Sequence, residues 1–277
     1  MKKILVATDL SSRSDRAVLR AIKLAKNYQA HLTIVNIIDE ETPKTLLAET
    51  QKIAKQEIDL CIKGRVKDIK HDIKIVVGSA HSDILKIVAE ENIDLIVLGL
   101  HRHFEESQPM VGKVIERVIK NSMKPVLVVK NRSESDYKNI LVGVDFNIHS
   151  KKSLKLSLNM FADSNFNLVH AYYMPFLGSM DNAALEEKFK SNCSADLDDM
   201  IKETIKSLPG NSKKSFKINK KLVKGSIFEI LKDEITYAKP DLLVLGTHGR
   251  TGLTKMLSLN VTENFLANPL CDVLVTM

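Results

Sequence analysis

Gly246 and Gly249 open the stretch GTHGRTGLTKMLSLN (residues 246–260), at a spacing suited to a loop that lets backbone N–H groups close on the oxygens of an anion. Glycine serves there because a missing Cβ admits close main-chain approach, and a helix starting beyond the loop adds N-terminal amides and a favourable dipole. Leu259 and Asn260 complicate the pattern. Leucine brings bulk to a position where backbone should meet phosphate, whereas asparagine is a competent helix N-cap and hydrogen-bond donor. Two aspartates, Asp9 in KKILVATDL and Asp145 in KNILVGVDF, end apolar runs and supply the polar contacts a ligand would need. This is not a Walker loop, since Gly112-Lys113 lacks both the upstream glycine and the following Ser/Thr.

Other chemistry is thinner. His101 and His103, with Glu105 nearby, have two imidazoles and a carboxylate but no clear third and fourth zinc ligand, so solvated loop histidines are the commoner reading. Cys61, Cys193 and Cys271 are odd in number and far apart, which suits reduced structural thiols better than a disulfide framework. No nucleophile stands beside a general base at a recognisable spacing, and no catalytic residue or metal site is assigned. Gly78 and Gly225 read as tight-turn glycines.

The elements that must position the glycines and aspartates are written twice. KKILVATDLSSRSDRAVLRAIKLAKNYQAHLTIVNI aligns with KNILVGVDFNIHSKKSLKLSLNMFADSNFNLVHAYY at an offset of 136, pairing Asp9 with Asp145 and Leu32 with Leu168. Farther on the offset is 147, pairing Gly78 with Gly225 and Gly99 with Gly246, so the second copy holds 11 more residues between its second and third strands. In the first copy Ile4–Thr8, Leu32–Ile37, Ile73–Val77, Leu95–Leu98 and Val126–Val129 are unbroken apolar runs, the mark of strands covered on both faces. Ala17, Ala21, Leu24 and Tyr28 recur at helical spacing, with Ser11 or Ser12 as N-cap before Asp15. Strands joined by helices form a parallel, doubly wound sheet, and its ligands bind beyond the carboxyl ends of the strands where the strand order reverses. The loops after the first and fourth strands of each copy face that crevice.

The 277 residues are 44% hydrophobic with no Trp, so the cores are built from aliphatic side chains. The net charge of +7 is spread evenly: residues 1–135 carry 23 Lys/Arg against 18 Asp/Glu, and the remainder 18 against 16. With no long basic block and no interleaved aromatics, a solvated mixed surface is expected, without a nucleic-acid footprint. No run reaches the roughly 18 apolar residues of a membrane span, and the N-terminus turns polar too early for a secretory signal, so no membrane association and a cytoplasmic location are expected. KNRSESDYK (Lys130–Lys138) reads as a linker, giving domains at 1–132 and 139–277 separated by residues 133–138. PVLVVK and DVLVTM, the terminal strands of the copies, are expected to pair with each other. Met174, Phe176, Leu177 and Met180 form an apolar cluster after the second strand of copy two, read as helix packing, with a lid or an apolar ligand site near the crevice as the second reading.

With VLGTHGRTGL, VTEN (Val261–Asn264) and VLV in copy two, and ILVATD, DLIVLG and VIERVIKNSMKPVLVVK in copy one, the chain resembles a tandem universal stress protein over essentially its whole length. The resemblance implies two five-stranded domains of the adenine nucleotide α-hydrolase-like type, strand order 3-2-1-4-5, paired as an intramolecular pseudo-dimer. The family motif is G-x2-G-x9-G-(S/T). Copy two matches it at Gly246 and Gly249, with Leu259 and Asn260 in the last two places; copy one has Gly99, Arg102, Gly112 and Lys113.

In ATP-binding members the first-strand Asp lies at the adenosine, backbone ending the second strand touches the base, and the motif holds ribose and phosphates. Carried over, this gives Val144, Asp145, Ala171, Gly246, Thr247, Gly249, Arg250, Asn260 and Val261 as nucleotide contacts in copy two, and Thr8, Asp9, Gly99, Gly112 and Lys113 in copy one. ATP in the second domain is favoured. The acidic segment Phe104–Pro109, and Arg102 in the place of the second glycine, count against a nucleotide in the first domain, although the charges of Arg102 and Lys113 could attract phosphate. Two alternatives stay open: a nucleotide-free scaffold acting through protein partners or self-association, and a weak ATPase.

Overall fold

Runs that are apolar on both faces become buried strands, and the helical patterns between them become the crossovers. The computed structural model describes residues 1–100, 113–131, 135–173, 183–210, 215–247 and 255–277, with the side chains of 113 and 255–260 excluded. Along the chain the elements are β1 (Lys3–Thr8), α1 (Ser14–Tyr28), β2 (His31–Asp39), α2 (Lys44–Ile62), β3 (His71–Gly78), α3 (Ala80–Glu90), β4 (Leu95–Gly99), α4 (Lys113–Asn121) and β5 (Val126–Val129). They continue with β6 (Asn139–Val144), α5 (Ile148–Met160), β7 (Asn165–Tyr172), α6 (Ala183–Lys206), β8 (Lys217–Lys224), α7 (Ile227–Ala238), β9 (Leu242–Gly246), α8 (Lys255–Ala267) and β10 (Asp272–Thr276). Two compact units result, one of Met1–Asp136 with Glu263–Val275, the other of Tyr137–Thr262 with Thr276–Met277.

In the first unit the parallel strands run in the order β3-β2-β1-β4-β5, as the doubly wound reading requires. The expected pairing of the two terminal strands is present: β10 lies antiparallel to β5, with Val273 opposite Val128 and Val275 opposite Val126. In the second unit β8-β7-β6-β9 repeats the order of β3-β2-β1-β4. The reversal between β1 and β4, and between β6 and β9, falls where the aspartate and glycine loops emerge.

Strand register corrects the sequence alignment of the repeats. Ile4 stands opposite Leu32 and Ile140 opposite Phe166, so the structural counterpart of Leu32 is Phe166, and the offset at the second strand is 134 where the alignment has 136. The second copy is therefore two residues shorter between its first two strands. A two-residue slip leaves every side chain on its original face, which is why the apolar pattern did not expose it.

The first helix begins differently from expectation. Its N-cap position is Arg13, with no side-chain cap, although the Ser11 hydroxyl accepts the Ser14 N–H at 3.3 Å. The second copy has a true cap: Asn147 Oδ1 accepts from His149 N at 2.7 Å and Ser150 N at 2.8 Å. Asn260, read from sequence as an N-cap, instead lies inside α8, which opens at Lys255.

A buried ion pair fixes β10 in the first unit. Arg20 of α1 is 3% exposed and Asp272 fully buried, with Nε and Oδ2 3.7 Å apart. Asp272 Oδ1 accepts from Lys130 N and Asn131 N, both at 2.9 Å, and an Arg20 Nη donates to Ser135 O at 2.7 Å. Removing one member leaves the other charge buried without its partner, a loss of about 3–5 kcal/mol. Asp272→Ala should lower the urea midpoint accordingly, and an Arg20→Met/Asp272→Leu double variant should recover most of it; an unshifted midpoint for Asp272→Ala would show that the pair does not anchor the strand.

Candidate functional site

At the end of β1 the chain turns through Leu10 in the left-handed region (φ 62°), and after β6 through Phe146 (φ 63°). Neither residue is glycine. Left-handed backbone at a bulky side chain is strained and persists where surroundings over-determine it, a condition found at ligand clamps. The surroundings here are hydrogen-bonded turns that hold Asp9 and Asp145 at the strand-order reversal.

In the first unit Thr8 Oγ1 lies 2.9 Å from Ser14 Oγ and accepts Leu10 N at 3.1 Å, while Asp9 Oδ1 accepts Ser11 N at 3.0 Å. In the second, Asp145 Oδ1 accepts the Ser150 hydroxyl and Asn147 N, and Oδ2 accepts the Asn147 side-chain amide at 2.7 Å. Both carboxylate oxygens of Asp145 are thus tied to the first turn of α5. A second clasp joins the central strands: Asn36 Nδ2 donates to Thr8 O at 2.9 Å, and His170 Nδ1 lies 2.8 Å from Val144 O, under the Phe146 ring. Different side chains fill structurally equivalent places and satisfy the same buried carbonyl. Sequence comparison missed them because the 136-residue offset mispairs these strands. Ser14 and Ser150 were findable, since they share that offset.

The motif's first glycine has a packing role. A Cβ on Gly99 would lie 2.9 Å from Ser14 Cα, and one on Gly246 would lie 2.8 Å from the His149 carbonyl carbon. Backbone meets backbone at both places, so α1 and α5 sit against the ends of β4 and β9 only with glycine there. Gly225 (φ 133°) needs glycine for its turn, while Gly78 lacks a left-handed φ and instead leaves room for Asp83 Oδ2, 2.2 Å from its notional Cβ. Thr247 directs both its N–H (2.7 Å) and its hydroxyl (3.1 Å) to Thr276 O and is buried.

The structure brings Thr8, Asp9 and Gly99 together in the first unit, around a cavity of about 190 Å³. Val144, Asp145 and Ala171 occupy the matching strand ends of the second unit, Ala171 at the place of Ile37, with Gly246 and Thr247 at the end of β9. Val261 is half-buried within α8. Gly112, Gly249, Arg250, Arg102, the histidine pair with Glu105, and the Met174–Met180 cluster lie outside the described residues, as do the side chains of Lys113, Leu259 and Asn260. Among the described residues no group of three or more His, Cys, Asp or Glu is placed to hold a metal ion, and no helix is long and apolar enough to cross a membrane.

The universal stress protein family model matches residues 1–130 and again 136–276. The chain belongs to the universal stress protein family. A universal stress protein of Methanocaldococcus jannaschii is 32% identical over 157 residues, covering 48% of this chain and 96% of that protein. A putative universal stress protein of Staphylococcus aureus is 33% identical over 141 residues, covering 47% of this chain and 84% of its own. Among solved structures, a universal stress protein from Archaeoglobus fulgidus has the same fold at a TM-score of 0.69 with 17% identity, covering 99% of this chain and 97% of its own. A putative universal stress protein from Pseudomonas aeruginosa gives 0.67 at 17% identity, over 100% and 93%. This universal stress protein therefore has two family domains, in line with its repeats.

Beside the Asp9 turn, Cys61 of α2 faces a separate cavity with Asp15 and Glu57. Burial, and then the neighbouring Asp15 carboxylate, push its thiol up to about 11. At pH 8 the thiolate would be about one part in a thousand, against roughly a quarter for an ordinary thiol. Alkylation of Cys61 by iodoacetamide should be slow at pH 8 and accelerate through pH 11; rapid labelling at pH 8 would contradict this environment. Gly99→Ala and Gly246→Ala should each destabilise by about 1–3 kcal/mol through overpacking, read as a lowered thermal midpoint, whereas unchanged midpoints would mean the helices can retreat freely.

Proposed function

We propose that this universal stress protein is a non-catalytic stress-response factor that binds ATP or a related nucleotide, with the second domain as the principal site. The observation that carries the reading is the meeting of Gly246, at the end of β9, with the Asp145 turn at the strand-order reversal between β6 and β9. Gly246 packs on His149 and Ser150 of α5, and the Ser150 hydroxyl donates to Asp145, so the motif's first glycine and the aspartate share one edge of the sheet. Such a reversal is where open α/β sheets hold ligands, and the Gly246/Gly249 spacing suits close backbone approach to an anion. Val144 and Ala171, at the ends of β6 and β7, would flank the base.

A nucleotide-free scaffold is the second reading. Its support is the engagement of Asp145 by Asn147 and Ser150, together with the commitment of both Thr247 donors to Thr276. A binding nucleotide would have to recruit Asp145 out of its turn or share it.

Calorimetry separates the two. Because Gly246 is packed against α5, the informative variant is Gly249→Val, at the second glycine of the motif. The parent should bind ATP and the variant at least about tenfold more weakly, a loss of about 1.4 kcal/mol, with its thermal midpoint unchanged. No heat from the parent, or equal affinity in the variant, would leave the scaffold reading standing.

A further inference from the structure

Among the described strands β3 has a neighbour, β2, on one side only, and β8 likewise has β7. No residue of β3 is fully buried, whereas most of β1 is. Lys70 O accepts Leu32 N at 2.9 Å, which sets the ladder between β2 and β3. Even-numbered residues of β3 bond to β2, and the main-chain groups of His71, Ile73, Ile75 and Val77 point outward along the free edge. Such an edge pairs with another strand unless charge or proline blunts it.

The two outer strands differ in that respect. Lys217, Lys220, Lys221 and Lys224 make up half of β8. Every two-fold antiparallel register that would pair five or more residues of β8 with a second copy sets lysine opposite lysine, which is destabilising. β3 carries one lysine, Lys74, which bonds the Glu91 carboxylate, and one aspartate, Asp72, whose Oδ2 lies 2.9 Å from His31 Nε2. Two-fold registers pairing five or more residues of β3 centre on Ile73, Lys74, Ile75 or Val76. Centred on Lys74, lysine again meets lysine; centred on Ile75 or Val76, both charges go unmatched. Centred on Ile73, Asp72 falls opposite Lys74 of the second copy and Lys74 opposite its Asp72. These are non-hydrogen-bonded places, where opposed Cα atoms are only ~4.5 Å apart and opposite charges stabilise the pairing. The Asp72 side chain is 61% exposed and that of Lys74 41%, so both reach outward while keeping His31 and Glu91.

We infer that two copies of this chain pair antiparallel through β3, with Ile73 on the two-fold axis and an Asp72–Lys74 ion pair on either side of it. An isologous contact of this kind closes on itself as a dimer. It stands independently of the nucleotide reading of the second domain.

Sedimentation equilibrium of the full chain tests the inference. The parent should show a concentration-dependent dimer. Ile73→Lys places on the axis the residue type that β8 carries at the matching position, Lys220, so the fold should tolerate it. Its dimer Kd should rise at least about tenfold. Asp72→Lys and Lys74→Glu should each weaken self-association when alone. An equimolar mixture of those two variants brings opposite charges together at both places and should recover the dimer, a result that misfolded chains cannot give. A dimer indifferent to Ile73→Lys, or a mixture no tighter than its components, would overturn the inference. A monomeric parent would also overturn it, leaving the edge to an extended segment of a different protein.

Discussion

The approach of a strand end to a helix start, with backbone touching backbone at Gly99–Ser14 and Gly246–His149, is the contact on which the site geometry depends. It fixes how far the first crossover helix of each unit can lean over the sheet, and so how wide the crevice is at the reversal of strand order. It also turns the chain sharply after β1 and β6, which forces Leu10 and Phe146 into left-handed backbone and aims Asp9 and Asp145 along the carboxyl edge. A glycine in a phosphate-loop pattern thus has two duties, and the packing duty holds whether or not an anion is present. That separation matters for reading mutants, because loss of binding at such a glycine does not distinguish a ligand contact from a displaced helix.

Around this contact each unit meets the same requirement with different side chains. The carbonyl that ends the first strand is buried and must be satisfied, and an amide from Asn36 does so in one unit, a ring nitrogen of His170 in the other. The turn after the strand is tied down by a threonine–serine hydroxyl pair in one unit and by an Asp–Asn–Ser network in the other. The sites diverge chemically at that point. Where Thr8 carries the hydroxyl, Asp9 reaches the lining of a cavity; where Val144 cannot hydrogen-bond through its side chain, Asp145 takes over the fastening of α5.

Much of the architecture was legible because burial on both faces leaves unbroken apolar runs, and because duplication repeats them. The parallel, doubly wound sheet followed from crossover rules and the strand order from the family resemblance, and the pairing of β5 with β10 followed from two Val/Leu runs that would otherwise be bare edges. What escaped the sequence was of a different kind. The two-residue contraction before β7 is invisible to alternation, since it restores the same face, and with it went the equivalence of Asn36 and His170. The Arg20–Asp272 pair joins residues 252 positions apart, with no periodicity to announce it. Asn260, a competent cap by residue type, lies inside α8, since residue type alone does not tell a cap from a helix interior.

The side chains beneath the strand-order reversal differ between the units, as the loop motifs do. Where Ala7 has a methyl Gly143 has none, and the Leu245 and Leu231 side chains come within 3.0 and 3.3 Å of the place a Cβ would take. Conversely Ile37, larger than its counterpart Ala171, enriches the hydrocarbon facing the first cavity. Packing therefore leaves the shape of the crevice free to drift while the fold is held constant. Duplication of one scaffold in a single chain thus keeps the strand order while the side chains along each carboxyl edge diverge.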